Sequence, residues 1–395
     1  MEKLAIEGGR PVRGDLLPYG RQSIDADDVQ AVVQALTSDW LTTGPRVAEF
    51  ERQFAQTVGA GHAVAVSSGT SALHASVAAA GIGPGDEVVT TPLTFVATAN
   101  CIRYVGGNVV FADVRPDSLN IDPCKIESSI TPRTKAIIAV DYAGLPADMT
   151  EIQALADRHG LTVIEDAAHS LGALYAGRKV GSIANFTTFS LHPVKHITTG
   201  EGGMVTTDDE EIAQRLRMFR NHGINTDFRQ RAVQGSWLYE MQSLGWNYRL
   251  TDIQCALGMA QLSHLEAWVE RRRHIATRYT AAFQDIEDLM TPASFPDRAS
   301  SWHLYVIRLD VERLRVGRQS IFQALRAENI GVNVHYIPVP WQPYYQRLGY
   351  SKGQWPIAEA AYERMISLPI FPAMTDRDVE DVVNAVTKVI SHFRK

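Results

Sequence analysis

A lysine closes the short stretch Phe189-Ser190-Leu191-His192-Pro193-Val194-Lys195, and Gly200-Glu201-Gly202-Gly203 follows before the next apolar run, Met204-Val205-Thr206. An amine confined between strand ends and partly withdrawn from water has a lowered pKa, and its neutral form attacks carbonyls to make a Schiff base. A solvated surface lysine is the competing reading, because most lysines are exposed. Upstream, Asp166 ends the run Leu161-Thr162-Val163-Ile164-Glu165-Asp166. A half-buried carboxylate needs a cation or strong donors to stay charged, and a protonated ring nitrogen, a salt bridge or a loop cap would each serve. Ser67-Ser68-Gly69-Thr70 reads as a strand–turn–helix junction. Its glycine lets backbone approach a ligand and the first helical amides suit a phosphate, although a capped helix without a ligand fits equally. Phe95 offers a flat ring to an aromatic ligand, or is simply core.

Together, an anion site, a flat ring, a strand-end carboxylate and a downstream lysine match pyridoxal phosphate. The lysine would carry the Schiff base, and the aspartate would keep the pyridine nitrogen protonated so that the ring acts as an electron sink. From Asp166 to Lys195 the chain advances 195 − 166 = 29 residues, room for about two strands with their turns. Other chemistries have less behind them. Gly81-Ile82-Gly83-Pro84-Gly85 follows a helix and precedes a strand, the reverse of a dinucleotide fingerprint. The histidines lack metal-ligand spacing, so no metal is expected, and neither a G-x-S-x-G elbow nor a P-loop occurs.

The elements that must position these residues alternate. Asp25 caps a helix with Val29, Val32, Val33 and Leu36 on one face, Leu41–Pro45 breaks it, and a second helix runs from about Arg46 to Val58. Strands are expected at Ala63–Val66, Glu87–Thr91, Val109–Ala112, Ala136–Val140 and Leu161–Ile164. Helices fall between and after them at Thr70–Ala80, Phe95–Val105, Pro123–Ile130 and Met149–His159. This rhythm predicts an α/β fold with a mainly parallel central sheet flanked by helices, whose ligands collect at the strands' carboxyl ends. Ser67–Thr70, Thr91–Phe95, Asp141–Gly144, Asp166–His169 and Ser190–Lys195 should therefore converge. From about Thr251 the texture changes. One long helix over Asp252–Phe283 is expected as a hinge, followed by strands at Leu304–Ile307 and Val332–Tyr336 and helices at Ser320–Glu328, Ile357–Ile366 and Thr375–Phe393. The expected organisation is an arm over 1–24, a large domain over 25–250 and a smaller C-terminal α/β domain over 251–395.

With 395 residues, 45% hydrophobic and 21% charged, the chain is long enough for two packed domains. A net charge of −6 without a basic stripe argues against nucleic-acid binding. Cys101, Cys124 and Cys255 are widely spaced, the N-terminus has no continuous apolar core, and no run spans a bilayer, so a cytoplasmic protein with no membrane partner is expected.

The chain resembles the DegT/StrS family of nucleotide-sugar aminotransferases, a branch of the fold-type I pyridoxal phosphate enzymes. The likeness runs from Leu17-Pro18-Tyr19-Gly20-Arg21-Gln22 to Ser367-Leu368-Pro369-Ile370-Phe371-Pro372. Its most specific pieces are Ser68–Leu73, Val163–His169 and Phe189–Gly203. The resemblance implies that Lys195 carries the cofactor, that Asp166 pairs with its pyridine nitrogen, that Phe95 stacks on the ring and that His169 approaches the 3-oxygen. It places Gly69, Thr70 and Ser190 on the phosphate, and Asn247 on the phosphate of a neighbouring subunit, which implies a homodimer with shared active sites. Tyr19, Leu41, Thr42, Thr43, Gly44, His335 and Tyr336 fall where the family binds the nucleotide sugar, with L-glutamate as amino donor. Two departures, Leu191 for a common phenylalanine and His169 for a common glutamine, remove no group that the reaction needs. Asp39–Pro45, His192–Gly200 and Val334–Pro338 are most similar to the branch that aminates UDP-2-acetamido-2,6-dideoxy-β-L-arabino-hexos-4-ulose for pseudaminic acid. Rival readings are a GDP- or dTDP-linked 4-keto sugar, a 3-keto sugar, a non-catalytic sensor on the same fold, and a nicotinamide dehydrogenase, against which the misplaced glycines speak.

Overall fold

Near-continuous apolar runs make strands that are buried on both faces, and here they form the centre of the molecule. The computed structural model describes residues 3–226, 231, 233 and 235–395. Residues 1–2 of the expected arm, and 227–230, 232 and 234 of the expected large domain, lie outside the described residues. The main sheet has seven strands among the described residues: β1 His62–Val66, β2 Glu87–Thr90, β3 Asn108–Phe111, β4 Thr134–Val140, β5 Thr162–Asp166, β8 Phe186–Ser190 and β9 Gly203–Thr207. The order is β1-β9-β8-β5-β4-β2-β3. β8, β5, β4, β2 and β3 pair in parallel, while β9 runs antiparallel to both β8 and β1. Between β5 and β8, the short β6 (Leu174–Tyr175) and β7 (Arg178–Lys179) join β11 (Arg298–Ala299) in a side sheet.

Capping chemistry sets several helix starts. Asp25 makes a reciprocal capping box with Asp28 at the head of α1 (Ala26–Leu36), and Pro45 opens α2 (Pro45–Val58) as its first residue. α3 (Gly69–Ala79) starts at the end of β1, and α4 (Ala97–Tyr104) follows β2. On α1 the shared face of Val29, Val33 and Leu36 is exposed in the single chain, and the helix turns Asp28 and Ala35 inward instead.

The C-terminal part is built on an antiparallel sheet of β10 (Leu289–Met290), β12 (Tyr305–Leu309) and β13 (Met365–Leu368), backed by helices Leu265–Phe283, Arg318–Ala327 and Asp376–Phe393. Leu4 and Leu17 of the arm are buried in that core, and Glu328 accepts from the backbone N–H groups of Ala5 and Val12, each at 2.9 Å.

Two expectations need correction. The long helix over Asp252–Phe283 is two helices, Asp252–Ser263 and Leu265–Phe283. They part at His264, whose N–H bonds to Gln261 C=O three residues back, tightening the turn. Val332–Tyr336 is not a strand: only Asn333 bridges, to Ser367 of β13. The pairing place beside β12 belongs to Met365–Leu368, a four-residue buried run whose apolar pattern reads equally well as a helix end. No helix among the described residues is long and apolar enough to cross a membrane.

Candidate active site

The carboxyl ends of β1, β5 and β8 open onto one cavity of about 530 Å³. Its lining brings together Tyr19, Gly69, Thr70, Phe95, Asp166, His169, Ser190, Lys195, His335 and Tyr336, as the sequence led us to expect.

Lys195 sits in a loop that cannot wander. Its own N–H bonds to His192 C=O (2.9 Å), Leu191 N–H bonds to Gly202 C=O (2.9 Å), and Thr198 Oγ1 returns to Leu191 C=O (3.0 Å). Burial lowers the amine's pKa to about 8; Asp166 opposes that shift and Arg272 adds to it. A useful fraction of the amine is therefore neutral near physiological pH.

Asp166 is 5% exposed at the end of β5. Thr98 Oγ1 donates to its Oδ2 (2.7 Å) and Ala168 N–H to its Oδ1 (3.2 Å). Burial raises its pKa, whereas these two donors and Lys195 pull it down. The result is a carboxylate with few protein donors, suited to one cationic partner from a ligand.

At the head of α3, Ser68 Oγ accepts from Ser71 N–H (3.0 Å), which leaves the N–H groups of Gly69 and Thr70 for a ligand at the positive end of the helix. A Cβ on Gly69 would stand 2.9 Å from Ser190 Cβ, so glycine is what allows the helix start and the β8 end to meet. Phe95 is 55% exposed and tilts toward Tyr336 at 5.9 Å between centroids. His169 Nε2 meets Tyr336 Oη at 3.0 Å, while its buried Nδ1 has no partner. Desolvation holds that ring neutral, and burial pushes His335 down to about 4. His335 Nδ1 meets Ser367 Oγ at 2.8 Å, and its ring lies 5.3 Å from that of Tyr19.

Other expected residues lie elsewhere in the single chain. Asn247 pairs with Asn221, outside the cavity. Thr42 bridges Thr251, Leu41 is 48% exposed, and Gly44 N–H bonds to Asp252 Oδ1 (2.6 Å). Thr43 and Gly44 instead line a second cavity of about 950 Å³ with Arg220, Asn221 and Arg249. The sequence reading missed Thr98, His303 and Asn333. A hydroxyl one turn beyond Phe95 could have pointed to Thr98, but His303 and Asn333 arrive from irregular loops with no local signature.

The donor set fits pyridoxal phosphate: free helix-start amides, an under-donated buried carboxylate, an unpartnered histidine nitrogen and a deprotonatable amine share one cavity. Comparison with known proteins agrees. Residues 22–387 match the DegT/DnrJ/EryC1/StrS aminotransferase family. The spore coat polysaccharide biosynthesis protein SpsC of Bacillus subtilis is 46% identical over 381 residues, spanning 96% of this chain and 98% of its own. Helicobacter pylori PseC, an aminotransferase involved in the biosynthesis of pseudoaminic acid, has a TM-score of 0.89 at 34% identity, covering 96% of this chain and 100% of its own. Streptococcus pneumoniae Spr1654 in its PLP form has a TM-score of 0.89 at 31% identity, covering 95% of this chain and 99% of its own. The chain belongs to the DegT/DnrJ/EryC1/StrS aminotransferase family, and it is a pyridoxal-phosphate-dependent aminotransferase.

Proposed function

We propose that the protein transfers the amino group of L-glutamate to the 4-keto group of UDP-2-acetamido-2,6-dideoxy-β-L-arabino-hexos-4-ulose, a step toward pseudaminic acid. The observation that carries the transamination is the Lys195 amine, with its pKa near 8, in one cavity with the buried Asp166 carboxylate. Pyridoxal phosphate, when bound, supplies the electron sink for the donor's α-carbon. Lys195 Nζ takes the proton from that carbon as general base, and in the second half of the cycle delivers one to C4 of the sugar. Asp166 would hold the proton on the pyridine nitrogen, with Thr98 and Ala168 donating to its carboxylate against the upward pull of burial. Gly69, Thr70 and Ser190 would hold the phosphate, Phe95 would cover the ring, and His169 would serve the 3-oxygen. Tyr19, His335 and Tyr336 form the wall that meets the nucleotide sugar. Asn247 and Leu41–Gly44 serve the site of a second copy, because within their own chain they do not reach Lys195.

The choice of sugar draws support from the likeness to PseC. A second reading keeps the chemistry and changes the keto-sugar, and the higher identity to SpsC, a polysaccharide biosynthesis protein, favours it. Purified enzyme assayed with glutamate against a panel of UDP-, GDP- and dTDP-linked keto-sugars separates the two. Lys195→Ala should abolish turnover with every sugar; a fully active variant sinks the mechanism.

A further inference from the structure

Asp141 and the single turn Tyr142–Gly144 stand at the carboxyl end of β4, between the sheet's half of the cavity and the C-terminal half. Asp141 N–H donates to Asp166 C=O (3.1 Å), and its Oδ2 accepts from Ser170 Oγ (2.6 Å), which fixes the turn to the segment bearing Asp166 and His169. The other side of the turn holds the C-terminal half. Ala143 C=O accepts from Leu304 N–H (3.2 Å), Gly144 C=O from Ser301 N–H (3.0 Å), and Ser301 Oγ donates to His169 C=O (3.0 Å). Contact is close enough that a Cβ on Gly144 (φ +100) would lie 2.8 Å from His169 O and 2.9 Å from His303 N. Tyr142, 3% exposed and behind the cavity rather than in its lining, donates its hydroxyl to the main-chain carbonyl of His335.

The wall that carries His335 and Tyr336 has no strand to hold it. Its start is fastened by the mutual Asn333–Ser367 backbone bonds (3.2 and 2.8 Å) and its end by Val339 N–H to Pro92 C=O (2.8 Å). Between them, among the described residues, Val334 N–H bonds to the adjacent Asn333 side chain, the His335 ring is held by Ser367 Oγ (2.8 Å), and the His335 carbonyl is the one main-chain group held by a distant residue, Tyr142. The Tyr336 hydroxyl then meets His169 Nε2 (3.0 Å), so the wall's backbone is held by the Tyr142 hydroxyl and its two rings by Ser367 and His169.

We propose that Tyr142 is a positioning residue for the keto-sugar: by holding the His335 carbonyl it places His335 and Tyr336 opposite Lys195. The proposal rests on the reading that those two rings meet the sugar. Burial pushes the Tyr142 phenol's pKa up, so it remains a donor at any working pH.

The experiment is Tyr142→Phe in the cofactor-loaded enzyme, which keeps the buried ring and deletes only the hydroxyl. The glutamate half of the cycle, followed by the change in cofactor absorbance, should stay within about twofold of wild type. KM for the keto-sugar should rise about tenfold with kcat nearly unchanged, the effect of one lost hydrogen bond. Histidine-ring NMR signals of His335 and His169 should shift while that of His196 does not. Equal slowing of both halves, or unchanged KM with unchanged His335 and His169 signals, overturns the proposal. If the wild-type enzyme converts glutamate but aminates no nucleotide sugar, the functional reading has failed instead. The NMR then decides the positioning role by itself, and static His335 and His169 signals reject it.

Discussion

Lys195 is a residue whose surroundings predict its own titration. In the unfolded chain it would release its proton near 10.5, in the folded cavity near 8. Between those values the unfolded state binds more protons, so apoprotein stability contributed by this group rises with pH across that window and is absent below it. The neutral amine grows from about a tenth to about a half of the population between pH 7 and pH 8. The rate at which apoprotein takes up pyridoxal phosphate should therefore rise about fivefold over that unit and level off above pH 9. Stopped-flow absorbance measures it, and a rate that climbs about tenfold per unit from pH 7 to pH 9 without levelling off would show that the amine is not desolvated as the cavity implies.

Elements differ in how plainly they were written. Helix Met149–His159 has the expected bounds, and the Asp25 cap is present with both halves of its box, because caps and apolar spacing act within a few residues. The placing of Asp166 and Lys195 in one cavity was legible for a related reason: each ends or follows a strand, and a parallel sheet gathers such ends, whereas Ser190 was singled out only by the family resemblance. What could not be read depends on contacts made across the chain. His303 is placed by backbone bonds from Ser301 and Leu304 to the 143–144 turn, and by Arg272, whose guanidinium lies buried under the same loop. Arg272 Nη1 donates to the carbonyls of Trp302 (3.2 Å) and Ile370 (2.8 Å), and burial alone lowers its pKa to about 10. Arg272→Met would relieve the buried charge but orphan these carbonyls, for a net loss of about 2 kcal/mol. Denaturant melts should show an earlier midpoint at an unchanged slope, and a midpoint equal to wild type would mean that the loop holds without it.

At the scale of the molecule, two sets of the expected site residues face different ways. Asn247 and Thr43–Gly44 lie outside the Lys195 cavity, and the surface nearby is apolar: Trp237 is 88% exposed, Leu238 69%, Met241 65% and Leu244 79%. On α1, Val29, Val33 and Leu36 add a further exposed apolar face, half or more open to solvent. Patches of this kind call for a partner surface, and a two-fold pair would bury them while carrying Asn247 to the neighbour's phosphate. Subunit mixing tests that arrangement. Lys195→Ala lacks the amine, and Asn247→Asp would set a negative charge against the phosphate, so each should be inactive alone. In a pair of one with the other, one site collects both lesions and its twin collects neither. Random exchange of equal amounts makes half the pairs mixed, with one sound site of two in each, so activity should recover to about a quarter of wild type. If each site drew all its residues from one chain, the mixture would stay as dead as its parents.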